Sequence, residues 1–409
     1  MTQISPLAPL RFPDLPPIAG VAIAACAAGI RYQDRIDLLL VSLAAGTGAA
    51  GVLTRSLTAS APVEWCRQAL AHGRARVLVV NAGNANAFTG AAGRDGVQRS
   101  AAAAAALFGC AGDEIYVAST GVIGETLPDD RIIAKLAGLK ASLVGDAWPK
   151  AAGAIMTTDT YPKGSTRTVK IDGMPVTING IAKGSGMIQP DMATMLSFIF
   201  TDARIAQPIL QKLLSEGTPK TFNSITVDSD TSTSDTLLLF ATGQAGHAPI
   251  ENAGDRRLAP FRKALHEVMR DLALQVVRDG EGAERLVEIR ITGAASERAA
   301  RRVGLAIGNS PLVKTAVAAG DANWGRIVMA VGKAGEKAER DRLAIRIGGV
   351  AVAANGARVE GYDEAPVARH MQGREILIEV DLGVGKGKAT VWTCDLTHRY
   401  VDINGSYRS

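Results

Sequence analysis

Aromatic side chains are scarce, at 4% of 409 residues. With so few rings, the core must be built from Ala, Val, Ile and Leu, and apolar residues together reach 47%. Cysteine is scarcer still. Cys26, Cys66, Cys110 and Cys394 lie far apart, with no C-x-x-C pair and no histidine at ligand spacing. That argues against a disulfide framework or a zinc site and for buried free thiols in a reducing compartment. The five histidines (His72, His247, His266, His370, His398) stand singly in polar surroundings and read as surface residues. A Ser-His-Asp or Cys-His enzyme has little support. Long apolar runs are missing too. "GVAIAACAAGI" is far short of the about 20 residues that span a bilayer, and "MTQISPLAPLRFPDLPP" has no basic leader before an apolar stretch. The expectation is a soluble, cytoplasmic protein. Nor is there an excess of one charge: 45 basic residues face 40 acidic ones, scattered along the chain. No basic run with interleaved aromatics marks a nucleic-acid surface, while small anionic substrates stay compatible.

What is present is a mixed alternation. "RIDLLLVSL" and "ARVLVVNAG" are apolar runs bounded by polar residues or glycine and predict buried strands. "RDGVQRSAAAAAALFG" predicts a helix with a glycine stop, and "DDRIIAKLAGLKASL" one with an acidic first turn. Asp172-Gly173 marks a hairpin turn. "LAPFRKALHEVMRDLALQVVRDGEG" is the longest helical pattern, ending at Gly280. "LAIRIGGVAVAANG", "EILIEVDLG" and "KATVWTCDL" predict late strands. There is no strict βαβ rhythm, so the fold class expected is α+β, in layers. The length allows two or three domains at about 150 residues each, but no repeat, linker or charge block marks a boundary.

Familiar catalytic signatures fail. "GVGKGKAT" does not fit G-x-x-x-x-G-K-[ST] and reads as a surface hairpin turn; no G-x-G-x-x-G, H-E-x-x-H, G-x-S-x-G or EF-hand loop occurs. One chemistry that needs no histidine remains. In "KGSGMIQPDMATMLSFIFTDA", from Lys183 to Ala203, a glycine-rich polar lead-in meets an apolar strand at Ala193-Thr194. A threonine at the head of a chain carries both a nucleophilic hydroxyl and a base, its own α-amine, whose reference pKa of about 7.7–8.0 suits proton transfer near neutrality. The chain must then be cut before Thr194. Its hydroxyl can do this by attacking the Ala193 carbonyl to give an ester that water hydrolyses. Gly184, Gly186 and the small Ala193 would permit the strained turn, and "MLSFIF" would anchor the new terminus in a sheet. The residues alone favour a plainer reading, a glycine-rich loop before a core strand that begins with threonine.

The stretch resembles the self-cleaving segment of the ornithine acetyltransferase family, the glutamate N-acetyltransferases of arginine biosynthesis. That family shows K-G-S-G-M-I-x-P-N-M-A-T-M-L, cut between Ala and Thr. The resemblance runs nearly the whole chain, through "NAGNANAFTG", "STGVIGETLP", "AIMTTDTYPK", "FNSITVDSDTSTSDT", "RDGEGA", "GNSPLVKTA", "GDANWGRI" and "YVDINGSYRS", in family order. Three positions depart from the pattern: Asp191 and Ser234 where Asn is usual, and Ala82 where Ser is usual.

The resemblance implies a layered α/β sandwich of the self-processing ornithine acetyltransferase, or DmpA-like, type. It implies a light chain 1–193 carrying the oxyanion hole and a heavy chain 194–409 headed by Thr194, assembled as a heterotetramer of two of each. The implied reaction is a ping-pong transfer. Thr194 takes the acetyl group of N-acetylornithine, and glutamate takes it from the acyl-enzyme. Thr120 and Gly121 would hold the oxyanion, and Thr157, Lys183, Thr194, Glu281, Asn404 and Ser409 would contact substrate. No metal and no bound cofactor is implied, and acetyl-CoA enters only as a second donor. Taken singly, Lys183 reads as a solvated loop charge, Glu281 as a surface residue at a helix end, and Thr157 competes with Thr158. Two other readings stay open: a self-processing aminopeptidase or amidase of the same fold, and, given Asp191, an uncleaved binding protein.

Overall fold

The computed structural model describes residues 3–189 and 195–405. Ala193 and Thr194, with Asp191, lie outside the described residues, as does Ser409.

The larger sheet holds β1 (Val21–Cys26), β2 (Leu38–Leu53), β3 (Arg74–Asn84), β4 (Ile115–Val122), β5 (Lys163–Ile171), β6 (Met174–Lys183), β7 (Leu196–Thr201) and β8 (Thr236–Ala241). Its order is β4-β3-β2-β8-β7-β6-β5, with β1 also on β2. The pairs β3/β4 and β7/β8 are parallel and the rest antiparallel. The long β2 changes partner along its length. Leu38–Ser42 pairs with β1 and β3, the register shifts between Ser42 and Thr47, and Gly48–Leu53 pairs with β8.

That break lets one sheet fold over on itself. Leu39 and Val41 of β2, Leu78 and Val80 of β3, and Tyr116 of β4 share a core with Phe198 and Phe200 of β7 and with Phe240 of β8. Tyr116 meets Phe240 edge-on at 5.4 Å, and Phe200 stacks on Phe240 at 5.5 Å. The alternate residues face outward. Leu38, Leu40, Val77 and Val117 pack under the helices Gly90–Phe108 and Asp129–Ala141. Ile199, Leu237 and Leu239 pack under Gln207–Gly217 and Leu258–Arg278. The result is a helix–sheet–sheet–helix sandwich. Strands buried on both faces need continuous apolar sequence, which is what "DLLLVSL", "RVLVV" and "LSFIF" supply.

A second sheet has its own core. It contains β9 (Leu286–Ala294), β10 (Ala344–Ile347), β11 (Val350–Ala354), β12 (Ala357–Arg358), β13 (Glu375–Asp381) and β14 (Gly387–Cys394), in the order β12-β11-β10-β13-β9-β14. No compositional break announced it, because the helix Leu258–Arg278 runs almost directly into β9. "GVGKGKAT" is not a hairpin turn. It leads from β13 into β14, which flank β9 on opposite sides.

The Asp172-Gly173 hairpin forms as expected. Both residues take positive φ (51° and 78°) and Ile171 pairs with Met174, the two-residue geometry that matches strand twist. The long helix stops at Arg278, with Asp279 as its cap and Gly280 just beyond. The surface reading of the histidines fails at His247, which is 1% exposed. Its Nε2 accepts from the Arg204 backbone N–H at 2.9 Å and its Nδ1 faces the Ala248 carbonyl at 2.8 Å, so a structural pair of bonds holds it in place.

All four cysteines are free thiols, but only Cys66 and Cys394 are buried; Cys26 and Cys110 are half-buried. Burial pushes the Cys66 thiol up to about 12, far from reactive. Among the described residues no helix is long and apolar enough to cross a membrane, and no group of three or more His, Cys, Asp or Glu could hold a metal ion.

Candidate active site

β4 carries the first part of the site. Thr120 and Gly121 lie near its C-terminal end, opposite Ala82 and Gly83 of β3. Gly121 has φ +132°, and a Cβ there would lie 2.2 Å from the Gly83 carbonyl carbon. Only glycine lets the two backbones approach this closely. The asparagines of "NAGNANA" brace the approach. Asn81 accepts from the Ser119 hydroxyl at 2.6 Å and donates to the Asn84 carbonyl. Asn84 accepts from the Asn86 backbone N–H and donates to the Glu125 carbonyl.

β6 brings the second part. Lys183 is its last residue, paired with Leu196 at the head of β7. The fold of the sheet carries Lys183 across to β4, and its Nζ donates to Thr120 Oγ1 at 3.1 Å. Lys183 is not a solvated charge: it is 9% exposed, and burial holds its ammonium below the usual lysine range, with Asp159 acting in the opposite sense.

The segment after the long helix brings Glu281, also buried rather than on the surface. Its carboxylate accepts from Asn404 Nδ2 at 2.7 Å and from the Thr158 hydroxyl. Burial pushes its pKa up, and the two hydrogen bonds pull it back only in part. Gly186 leaves room for that carboxylate, since a Cβ would lie 2.4 Å from Glu281 Oε2. Asn404 is the last residue of a short helix, His398–Asn404, not part of a loose polar tail.

Thr120, Gly121, Thr157, Lys183, Glu281 and Asn404 all line one cavity of about 280 Å³. Met195 and Leu196, the residues that follow Thr194, line it as well, and the Thr236 N–H holds the Met195 carbonyl at 2.9 Å. β7 runs between β6 and β8, so a chain end at residue 194 would be anchored in the sheet. The proposed cut falls between two paired strands, β6 and β7, and not at a boundary of the fold.

Both threonines of the Thr157/Thr158 pair line the cavity. Thr158 reaches Glu281, while Thr157 is fixed through its backbone: its N–H donates to Asp159 Oδ2 at 3.0 Å and its carbonyl accepts from Arg35. Ser234 also lines the cavity, and Ala82 is fully buried behind Thr120. Among the described residues of the lead-in, Met187 takes a left-handed φ of +58°. Asp228 holds it, accepting from the N–H groups of Met187 (2.6 Å) and Ile188 (2.7 Å). Thr158 stood in the sequence as the rival of Thr157, and Asp228 and Tyr400 are cavity residues that the sequence reading missed. Their partners are distant in the chain, so no local spacing signalled them.

A family model described as the ArgJ family matches residues 22–409. The chain is 60% identical over 411 residues to an arginine biosynthesis bifunctional protein ArgJ of Mesorhizobium japonicum, covering 100% of both chains. It is 60% identical over 410 residues to the protein so named in Brucella suis biovar 1, covering 100% of this chain and 99% of that one. Among solved structures, the arginine biosynthesis bifunctional protein argJ of Bacillus halodurans matches with a TM-score of 0.50 and 40% identity, over 51% of this chain and 98% of that one.

Proposed function

This chain belongs to the ArgJ family, and on that premise we propose a mechanism for its cavity. The protein is an acetyltransferase of arginine biosynthesis, moving the acetyl group of N-acetylornithine to glutamate. In our reading Thr194, freed as a chain terminus by cleavage after Ala193, attacks the acetyl carbonyl while its α-amine takes the hydroxyl proton. Charge develops on the carbonyl oxygen, where the Thr120 hydroxyl and the Gly121 N–H stabilise it. Collapse passes the proton to the leaving nitrogen, ornithine departs, and an acetyl ester remains on Thr194. The glutamate amine then attacks that ester by the same path in reverse.

The observation that carries this reading is the Lys183–Thr120 contact in the cavity that Met195 enters. Lys183 donates to Thr120 Oγ1, so the threonine's own proton must point elsewhere, and the open cavity is the space beside it. Glu281 offers an acceptor for a substrate amine, and Lys183 and Asn404 offer donors for a carboxylate. Ser409 is assigned to the same role by resemblance. The solved relative fits a cut chain, since about half of this sequence accounts for nearly all of that chain. We extend the reading to acetyl-CoA as a second donor, to assembly from two light and two heavy chains, and to the cytoplasm. The mechanism calls for no metal or bound cofactor.

The test is ornithine release from N-acetylornithine by the purified protein, with and without glutamate. Release that depends on glutamate and yields N-acetylglutamate supports transfer. Equal release without glutamate, with free acetate, would make the protein an amidase instead.

A further inference from the structure

Beneath the cavity floor is a set of charges that the mechanism above does not use. Lys163, fully buried, donates to Asp159 Oδ1 at 2.7 Å and to Asp279 Oδ2 at 2.5 Å, and both carboxylates are themselves 0% exposed. Asp279 is otherwise taken up by the N–H and hydroxyl of Thr160. Asp159 is different. It also accepts from the Gly184 N–H at 2.7 Å and the Thr157 N–H at 3.0 Å. One carboxylate thus ties together the turn that presents Thr157 and Thr158 and the strand end that presents Lys183.

We propose that Asp159 is a positioning residue for acetyl transfer: it fixes Lys183 against the Thr157 turn and supplies the counter-charge that keeps Lys183 a donor to Thr120. The inference rests on the oxyanion role given to Thr120 above. Two buried carboxylates, Asp159 and Asp279, both hold Lys163. Lys163 is already paired twice. Of the negative charges that act on Lys183, Asp159 is the foremost, ahead of Glu281 and Asp235, and it is bound to the neighbouring Gly184 N–H. A charged Lys183 can only donate, and this forces the Thr120 proton toward the substrate. A neutral Lys183 can accept, and then Thr120 can turn its proton toward the lysine and be lost as an oxyanion donor.

The charged groups that act on Lys183 are Asp159 and Glu281, which favour its ammonium form, Asp235 in the same sense, and Lys163 in the opposite one. Asp159 stands first among those that oppose the effect of burial. Removing its charge therefore shifts the loss of the Lys183 proton to lower pH.

The experiment compares wild type with Asp159→Asn and Asp279→Asn, by initial rates of acetyl transfer over pH and by thermal melting. Asp159→Asn should lower kcat about 10–100-fold, the loss of one charged hydrogen bond, and move the alkaline limb of the rate profile toward neutrality. Asp279→Asn, which takes the other carboxylate from Lys163 but touches neither Gly184 nor Thr157, should lower the melting temperature and leave the limb in place. A double-mutant cycle with Thr120→Ala supplies the second arm. If Asp159 acts through Thr120, the combined loss in kcat falls well short of the product of the single losses. Should Asp159→Asn yield too little folded protein, the cycle is run with Asp159→Asn, Lys163→Met and Asp279→Asn together, which removes the three charges of the cluster as a unit. An unmoved limb with multiplicative losses would overturn the proposal and leave the cluster a structural ion network. Absence of transfer in wild type would instead bring down the function reading, and the role of Asp159 with it.

Discussion

Asn404, the last residue of the C-terminal helix, donates its amide to the Glu281 carboxylate at 2.7 Å across 123 positions of sequence. Terminal segments are ordinarily dispensable, but Asn404 lines the cavity and holds Glu281 there. Deleting Asn404 to Ser409 should leave chain cleavage intact and raise KM for N-acetylornithine at least tenfold, with both read by gel and by initial rates. The pH dependence should change as well. Glu281 binds an amine only when ionised, so affinity is lost as pH falls through a pKa that burial has raised. Asn404→Ala removes a bond that lowers this pKa, and so the acid limb of kcat/KM should move to higher pH. An unmoved limb would mean that Glu281 does not meet the substrate amine.

Thr194→Ala should give one uncut chain without transferase activity, because cleavage and transfer use the same hydroxyl. Thr194→Ser should keep part of each. Intact mass and a transfer assay check both outcomes, and residual transfer by the alanine variant would place the nucleophile elsewhere.

Thr120→Ala should lower kcat by about 10²–10³-fold, the usual effect of removing one oxyanion donor, while KM changes little. Lys183 loses its acceptor in that variant, so some loss of melting temperature is expected too. Normal kcat with raised KM would make Thr120 a binding residue.

Gly186→Ala tests the packing behind Glu281. The added methyl would fall 2.4 Å from Oε2, and the carboxylate is the movable partner. The expected outcome is a folded protein with KM raised tenfold or more and a smaller change in kcat. Unchanged KM would show that the carboxylate's position is not critical for binding.

Local sequence pattern was enough to specify these strands: "DLLLVSL", "RVLVV" and "LSFIF" are predominantly apolar because both faces of each strand are covered, and the Asp172-Gly173 turn follows from backbone sterics alone. It also marked Thr194, whose lead-in and following strand are contiguous in the chain, and, through family motifs, the residues expected around it. What it could not show is which charges would be buried together. Lys183 looked like a loop charge because nothing within its own segment covers it. Burial comes from the folding of one sheet about the break in β2, which lays β6 against β4 and brings Lys183 to Thr120 across 63 residues. Asp159, Lys163 and Asp279 form a cluster only because "TTDTYPK" and "RDGEGA" meet beneath the same cavity, 116 residues apart at the Lys163–Asp279 contact. Local pattern fixes which segments become strands and turns, because those depend on neighbours in sequence. The ionic floor of the site depends on neighbours in space, and only the tertiary structure supplied them.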